Sequence, residues 1–175
     1  MIATADSQPK QPAIPVARTF DAFFRRECAA VGAYAFALTG HRETAEDIAQ
    51  EAFVATYRKW DRIEAPAGYV RRAVANLAIG RIRGLTRQRA LDRMTTTALI
   101  PFAELNTADG DFWRMVSELP PRQRQVTALY YLEDRSVEQI AELLGLAAGS
   151  VKSHLSKARA SLASSLHLHN NEDIR

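Results

Sequence analysis

Cysteine is almost absent from this sequence, and its scarcity excludes two kinds of site. The single Cys28 can form neither an internal disulfide nor a cysteine-based zinc site, and we expect it to be a small buried residue. Histidine is nearly as scarce, and the four histidines and the acids show no spacing typical of a catalytic or metal site. His167 and His169 lie in a polar tail that we expect to fray rather than to bind metal. The sequence therefore predicts no enzyme, no cofactor and no small-molecule substrate.

Long apolar runs are also missing. No stretch approaches the roughly 20 residues needed to cross a bilayer, and segment 1–18 lacks the apolar core of a signal peptide. We therefore expect a cytoplasmic protein without membrane insertion. No stretch shows the alternation of apolar and polar residues typical of a sheet, so the predicted fold is all-α, with two small helical bundles joined by a linker.

Neither sign of charge is in large excess, because 23 basic and 20 acidic residues leave a formal net charge of +3. The class of partner must therefore be inferred from where the charge lies. Segment 69–93 holds seven arginines and one acid, Asp92, which gives it a local net charge of +6. This concentration indicates a polyanionic partner, with a solvated arginine face as the alternative.

Segment 136–162 has the pattern of a helix-turn-helix. Ser136, with Gln139 three residues later, predicts a capping box at the start of a first helix. Gly145 supplies the left-handed conformation that ends this helix, and Ser150 is predicted to cap a second one. In such a motif the second helix enters the major groove of DNA.

The second helix of this motif has two distinct faces. Its apolar stripe runs at helical spacing through Val151, Leu155, Ala158, Leu162 and Leu166. The other face is polar and basic, and it carries Lys152, Ser153, His154, Ser156, Lys157 and Arg159. A helical hairpin with a solvated basic face is the alternative, but the spacing favours DNA binding.

The N-terminal half predicts three further helices, over 20–40, over 44–60 and from Pro66 onward. The second of them is predicted to bury Ile48, Ala52, Phe53, Ala55, Tyr57 and Trp60. Its other face carries Asp47, Gln50, Glu51, Val54 and Arg58, for which plain solvation is the simplest explanation.

The third helix is predicted to bury Val70, Val74 and Leu77. Its outward residues are Arg71, Arg72, Asn76, Arg81 and Arg83. Asn76 offers a donor and an acceptor to a base edge, and the rings of Tyr69 and Trp60 can support an unstacked base. Core packing is the alternative for both rings.

Periodicity is lost over 94–111, which predicts an interdomain linker. The predicted organisation is a leader without a fold (1–18), a first domain (19–93), this linker (94–111), a second domain (112–168) and a tail (169–175). Segment 99–102 is apolar for a linker and can pack on a domain or a partner. Short helices are predicted over 112–119 and 122–132, ahead of the helix-turn-helix.

Together the two halves resemble a sigma factor of bacterial RNA polymerase, of the short two-domain extracytoplasmic-function type. The first half carries LTGHRETAEDIAQEAFVATYRKWDRI and PAGYVRRAVANLAIGRIR, and the second carries ELPPRQRQVTALYYLEDRSVEQIAELLGLAAGSVKSHLSKARASL. The resemblance extends from about Phe20 to Leu166. It implies a sigma region 2-like domain, a region 4-like domain, and a dissociable subunit that joins core polymerase and directs promoter recognition, strand opening and initiation.

The resemblance also implies three binding surfaces. In the family, the face with Asp47, Gln50, Glu51, Val54 and Arg58 binds core RNA polymerase. The downstream promoter element, captured as melted non-template strand, is met at the positions of Tyr69, Arg72, Asn76, Arg81 and Arg83. The upstream duplex is read at Lys152, Ser153, His154, Ser156 and Lys157, with phosphate contacts from Arg135 and Arg159. An anti-sigma factor is a further candidate partner.

This chain departs from the family at Ala147, Ser150 and His154, where proline, threonine and arginine are common. Histidine is a weaker, pH-dependent donor whose ordinary pKa is about 6.5, so reading of guanine at position 154 is the role most affected. Two rival functions stay open from the sequence. A polymerase-independent helix-turn-helix regulator leaves the Asp47 face without a purpose, and a decoy would bind polymerase without supporting initiation.

Overall fold

The fold is all-helical over the residues that the structure, a computed structural model, describes: 19–88 and 107–172. No strand occurs within these two ranges, so the predicted all-α class is confirmed. The α-helices are α1 (Phe20–Thr39), α2 (Arg42–Tyr57), α3 (Pro66–Gln88), α4 (Thr107–Glu118), α5 (Pro121–Tyr131), α6 (Val137–Leu144) and α7 (Ala148–Glu172), with a 3-10 helix at Trp60–Arg62 between α2 and α3.

Several predicted segments lie outside the described residues. These are the leader 1–18, most of the linker with its apolar segment 99–102, and the end of the tail. Side chains are described over 19–81 and 112–165, so the predicted roles of the Arg83 and His167 side chains also fall outside.

Helix ends follow local sequence signals at three predicted positions. Gly40 ends α1 with a φ of 70°, and Gly145 ends α6 with a φ of 64°. Ser136 Oγ accepts from the Gln139 backbone at 3.2 Å, while Gln139 Oε1 accepts from the Ser136 backbone at 3.0 Å. The predictions of the glycine end at Gly145 and of the capping box are therefore confirmed, and α1 ends beside Gly40, where the first helix was predicted to end.

The predicted cap at Ser150 is wrong. The last helix begins earlier, at Ala148, so Ser150 lies within its first turn. The carbonyl of Ala147 accepts from the backbone of Ser150 at 2.9 Å and of Val151 at 3.1 Å. Helix α7 therefore begins shortly after the left-handed Gly145, with Ala147 rather than a polar residue directly before its first turn.

Helices α1 to α3 form the first bundle. Large side chains that are fully buried there include Tyr34, Leu38, Ile48, Val70 and Val74. The inward positions predicted for Val70 and Val74 are confirmed, because residues four apart share one face of a helix. Rings close the end of this bundle where α1 begins, at Phe20, Phe23, Phe24, Phe53 and Trp60.

Helices α4 to α7 form the second bundle. Its fully buried residues include Val116, Val126, Leu129, Ile140 and Val151. The apolar stripe predicted for α7 is buried at each position whose side chain is described: Val151, Leu155, Ala158 and Leu162. This packing fixes the positions of α6 and α7 on either side of the turn, as a helix-turn-helix requires.

The two bundles pack against each other, which the sequence patterns do not predict. Helix α1 contacts α4 and α5, and α3 contacts α6. Buried polar groups join them as well: Arg124 Nη1 donates to the carbonyl of Leu38, and Gln125 Nε2 donates to the carbonyl of Ala75 at 2.7 Å. Burial lowers the pKa of the Arg124 guanidinium, and its hydrogen bonds to carbonyls offset the cost of burial.

Candidate nucleic-acid and polymerase interfaces

Helix α2 turns one polar face away from the bundle core. Ile48, Ala52 and Phe53 are buried on its inner side. The opposite face holds the half-buried Asp47 and the exposed residues Gln50, Glu51, Val54 and Arg58. We call this set the α2 face. It has the arrangement that the sequence predicts, and it places an apolar side chain, Val54, among polar ones.

Tyr57 adds to the α2 face, and its predicted burial is wrong. The side chain is 63% exposed, although its ring centroid lies 4.9 Å from that of Phe20. Residues three apart on a helix are surface neighbours, so Tyr57 and the 42% exposed Val54 lie side by side. Aromatic and apolar groups within a polar rim are typical of a protein-binding surface. Trp60, in contrast, packs against the core rather than standing free as a platform for a base.

Helix α3 exposes Arg72, Asn76 and Arg81, as predicted. Arg81 Nη2 lies 3.8 Å from the Glu51 carboxylate, so this arginine neighbours the α2 face. Tyr69 is half-buried, and the Lys59 ammonium lies 5.7 Å from the centroid of its ring. The exposed groups can supply cations and an amide to a nucleic acid, with one aromatic edge close by.

Arg72 already has partners within the chain. Its Nε donates to the carbonyl of Leu143 at 2.8 Å, and its Nη2 donates to the carbonyl of Glu142 at 3.1 Å. These carbonyls belong to the last turn of α6, the end of the helix that carries partial negative charge. A residue predicted to meet downstream DNA thus contacts the second bundle.

The outward position predicted for Arg71 is wrong. Its side chain is 6% exposed, and its Nε lies 2.6 and 2.5 Å from the two carboxylate oxygens of Glu133. Its Nη1 lies 2.9 Å from Glu27. Burial lowers the pKa of Arg71, but the two carboxylates outweigh it and raise that pKa above its ordinary value. The guanidinium is therefore a buried cation held by two acids.

Glu27 and Glu133 are polar positions that the sequence reasoning missed. Burial raises the pKa of Glu27, but hydrogen bonds from Arg26 and Arg71 outweigh it and hold that pKa below its ordinary value. Glu133 also accepts from Arg135 Nε at 2.9 Å. No sequence spacing indicates this cluster, because its members come from α1, α3 and the segment after α5.

Helix α7 presents the predicted polar face. Lys152, Ser153, Ser156 and Lys157 are exposed, while the apolar residues between them point into the second bundle. His154 is half-buried, and its Nδ1 has no hydrogen-bond partner among the described residues. The exposed residues offer two ammonium groups and two hydroxyls along one side of the helix, which suits contacts to phosphates and base edges.

The two arginines predicted to contact phosphates both have partners within the chain. Arg135 donates to Glu133. Arg159 Nε donates to the Tyr131 hydroxyl at 2.7 Å, and its guanidinium lies 5.5 Å from the ring centroid of Tyr130. These contacts fix where each guanidinium lies.

Other kinds of site find no support over the described ranges. No group of three or more histidine, cysteine or acidic side chains there could hold a metal ion. Within the same ranges, no helix combines the length and the apolar character needed to span a membrane.

Comparison with known families matches both halves of the chain. Residues 23–88 match sigma-70 region 2, and residues 109–162 match sigma-70 region 4. The first match contains the α2 face and the exposed side of α3, and the second contains the helix-turn-helix.

Individual relatives agree with these matches. The chain is 32% identical over 130 residues to the RNA polymerase sigma-E factor of Streptomyces coelicolor. This match covers 70% of this chain and 71% of that protein. It is 29% identical over 180 residues to the ECF sigma factor SigE of Mycolicibacterium smegmatis, covering 97% of this chain and 69% of that protein. A probable sigma factor RfaY of Xanthomonas campestris is 30% identical over 149 residues, but the match spans only 37% of that longer protein.

Solved structures share the fold. The sigma factor RpoE of Bartonella quintana, crystallised with the anti-sigma factor NepR, has a TM-score of 0.64 at 24% identity and covers 85% of this chain and 96% of that one. CnrH, in complex with the cytosolic domain of CnrY, has a TM-score of 0.57 at 20% identity, covering 85% of this chain and 88% of that one. From its matches to regions 2 and 4 and its identity to sigma-E factors, the chain belongs to the extracytoplasmic-function sigma factors of bacterial RNA polymerase.

Proposed function

We propose that this sigma factor, which directs transcription initiation by RNA polymerase, divides the task among three surfaces of its two domains. Residues 19–93 form the polymerase-binding and strand-capturing domain, and residues 112–168 form the domain that reads duplex DNA. The observation that carries the proposal is that one chain exposes three separate polar surfaces: the α2 face, the outer side of α3 and the polar side of α7.

The α2 face is the proposed contact with core polymerase. Exposed Gln50, Glu51 and Arg58 surround the apolar pair Val54 and Tyr57. Burying the pair would supply the hydrophobic part of the contact, and the surrounding polar groups would set its orientation.

The outer side of α3 is the proposed contact with the melted non-template strand. Arg72, Asn76 and Arg81 are exposed there, and Arg83 follows in the sequence. Cations that track phosphates, an amide that can pair with a base edge and the nearby Tyr69 ring are the groups that capture of an unstacked base requires.

The polar side of α7 is the proposed reader of the upstream duplex. The exposed residues Lys152, Ser153, Ser156 and Lys157 lie on the second helix of the helix-turn-helix, the one that enters the major groove in such motifs. His154 lies beside them, and Arg135 and Arg159 are the proposed phosphate contacts at the edges of this surface.

The chain is not an enzyme, because its family acts by binding polymerase and promoter DNA. We place its action in the cytoplasm, where the polymerase works. The two structural relatives were solved with an anti-sigma factor and with a cytosolic domain of a partner protein, which supports an anti-sigma factor as a further partner of this chain.

The α2 face is tested by the double variant Asp47→Ala, Gln50→Ala in the full-length protein. Affinity for purified core polymerase should fall at least tenfold, while binding of the upstream duplex should not change. The control is Arg25→Ala, which removes an exposed charge on α1. Normal core binding by the double variant would rule out the proposed docking face.

Strand opening separates this function from that of a decoy that binds polymerase without supporting initiation. Permanganate oxidises thymines that are no longer stacked in a duplex. With core polymerase and the wild-type chain, promoter thymines should become reactive, and Arg72→Ala with Asn76→Ala should reduce that reactivity. Thymines that stay unreactive with the wild-type chain would favour the decoy.

A further inference from the structure

Tyr131 is an exposed aromatic residue of the second bundle that belongs to none of the three proposed surfaces. It is the last residue of α5, and it is 47% exposed. Its ring packs edge to face against that of Tyr130, with centroids 5.0 Å apart, and against that of Phe112 at 6.5 Å. Rings on two sides therefore fix the position of an aromatic residue at the protein surface.

The hydroxyl of Tyr131 is joined to Arg159 on α7. Arg159 Nε donates to this hydroxyl at 2.7 Å in an exposed hydrogen bond. The same guanidinium lies 5.5 Å from the ring centroid of Tyr130 and 5.8 Å from that of Tyr131. These contacts hold a long side chain in one place, so less conformational entropy is lost when its guanidinium meets an anion.

The two side chains keep hydrogen-bond donors for a ligand. The bond to Tyr131 uses one of the five N–H groups of Arg159, and the two Nη groups carry the other four. Tyr131 accepts through its oxygen, so its own O–H proton is still available for donation. A hydroxyl that accepts from a cation is a stronger donor, because hydrogen bonds in a chain polarise one another. A cationic donor and a neutral donor therefore lie together at the surface.

The partners of Arg159 do not neutralise its charge, in contrast to the partner of Arg135. Arg135 Nε lies 2.9 Å from the Glu133 carboxylate, which would compete with a phosphate for the same guanidinium. The groups around Arg159 are phenols, which are uncharged at neutral pH. Of the two arginines proposed as phosphate contacts, Arg159 is therefore the one that offers an uncompensated positive charge.

Arg159 also lies on the DNA-reading side of α7. It follows Ser156 by three residues and Lys152 by seven, and these spacings place all three on one side of a helix. Because α7 begins at Ala148, Arg159 lies about 16 Å along the helix axis from that end. The major groove is only about 8.5 Å deep. A helix that enters it by the N-terminal half therefore brings Arg159 to the level of the flanking phosphates rather than the base edges.

We propose that Tyr131 and Arg159 form one composite binding site for a backbone phosphate of the upstream duplex. Tyr131 donates its O–H to a phosphate oxygen and also directs the Arg159 guanidinium toward the same phosphate group. The proposal rests on the duplex-reading role proposed for α7 above, and it adds a contact from α5. Phosphate contacts carry no base preference, so the site contributes affinity and sets the position of α7 in the groove.

The site is tested by measuring the affinity of the full-length chain for a labelled duplex of mixed sequence, because a phosphate contact needs no particular base. Tyr131→Phe keeps the ring and removes the hydroxyl, and it should weaken binding about fivefold. Arg159→Ala should weaken binding at least about tenfold. The control Ser164→Ala removes a hydroxyl of α7 that bonds to the Ala160 carbonyl of its own helix, and it should leave the affinity unchanged.

A double-mutant cycle tests whether the two residues act on one phosphate. The loss caused by Tyr131→Phe should be smaller in the Arg159→Ala background than in the wild type, because the two residues share a ligand. Arg159→Ala should also make the log-log slope of affinity against salt shallower by about 1, whereas Tyr131→Phe should not change it because a phenol neutralises no charge. A bond that only stabilised the fold would leave the slope unchanged in both variants.

Wild-type affinity in Tyr131→Phe, or additive losses in the cycle, would overturn the composite site. If urea denaturation shows that Tyr131→Phe is unfolded, Arg159→Lys decides instead. This variant keeps the charge but cannot bond to Tyr131 and a phosphate through one planar fork, so it should bind the duplex more weakly with an unchanged salt slope. Wild-type affinity in Arg159→Lys would overturn the site as well.

Failure of this site can be distinguished from failure of the proposed function with the double variant Lys152→Ala, Lys157→Ala. If that variant binds the mixed-sequence duplex more weakly and Tyr131→Phe does not, only the composite site is refuted. If that variant binds as tightly as the wild type, or if the wild type itself does not bind the duplex, the proposed duplex-reading surface is refuted and the composite site with it.

Discussion

The two carboxylate oxygens of Glu133 lie 2.6 and 2.5 Å from the Nε atom of Arg71, and this ion pair joins the sigma region 2 domain to the sigma region 4 domain. Glu27 lies on the other side of the same guanidinium at 2.9 Å. Arg71 is thus a structural residue, whereas its neighbour Arg72 is exposed on the surface of α3. Adjacent arginines in the basic segment therefore have different tasks.

Replacing Arg71 by methionine should destabilise the protein. The substitution keeps a long side chain but leaves Glu27 and Glu133 without their shared cation, for which a loss of about 3 kcal/mol in the free energy of unfolding is expected. Urea denaturation followed by circular dichroism measures it. The control Arg25→Met disrupts a pair whose side chains are 78% and 68% exposed and should cost less than about 0.5 kcal/mol. A loss below about 1 kcal/mol for Arg71→Met would argue against the buried pair.

Acid should weaken the fold partly through Glu27. The pKa of this carboxyl is lowered from its ordinary value of 4.5, so the folded state binds the proton less readily than the unfolded chain does. Its contribution is fully present above about pH 4.5 and is lost as the pH falls through the lowered pKa. Glu27→Gln should therefore lower the free energy of unfolding near neutral pH. Below about pH 4.5, the free energy of unfolding of the variant should fall less steeply with pH than that of the wild type. If the free energy of unfolding of the wild type and of the variant fell in parallel below about pH 4.5, this role of Glu27 would be refuted.

Two glycines with the same backbone conformation should respond differently to alanine. Both Gly40 and Gly145 have positive φ, so each substitution costs about 1–2 kcal/mol in strain. A Cβ at position 40 would also lie 2.5 Å from Ser117 Oγ, whereas nothing lies within 4 Å at position 145. Gly40→Ala should lose roughly 1 kcal/mol more than Gly145→Ala, because the added methyl pushes α4 away from α1. Thermal denaturation measures both losses of stability. Equal losses for the two variants would mean that the segment around Ser117 moves aside without cost.

Replacing Lys152 and Lys157 together by alanine should weaken binding of the upstream duplex while leaving affinity for core polymerase unchanged. If each ammonium neutralises one phosphate, the log-log slope of affinity against salt should become shallower by about 2. Binding titrations at several salt concentrations measure the slope. The control is Arg25→Ala, which removes one exposed positive charge on α1, away from the polar side of α7. Loss of core affinity in the double variant would contradict the separation of the surfaces.

Local patterns were sufficient to predict most of the helices. Ser136 with Gln139 marked one helix start, Gly40 and Gly145 marked two helix ends, and apolar periodicity identified the buried side of α7. These features depend on contacts within one or two turns, which residue spacing encodes. The family resemblance, confirmed by the matches to regions 2 and 4, rests on the same local motifs.

Contacts between distant parts of the chain could not be predicted in this way. Arg71 has the periodicity of an outward residue, and its burial depends on Glu133, which lies sixty-two positions later. Tyr57 has the spacing of a buried residue, yet its ring contacts Phe20 and the side chain stays 63% exposed. Hydrophobic periodicity does not encode which bundle surfaces meet, so the interface and its polar groups require the structure.

Run-off transcription tests the central claim most directly. Purified core polymerase, the full-length chain and a library of genomic fragments are combined, and the 5′ ends of the transcripts are sequenced. We predict discrete start sites that share an upstream and a downstream element, that require the chain, and that are lost in the Asp47→Ala, Gln50→Ala variant. Absence of chain-dependent start sites, together with tight binding of duplex DNA by the protein alone, would contradict the account and identify a polymerase-independent regulator.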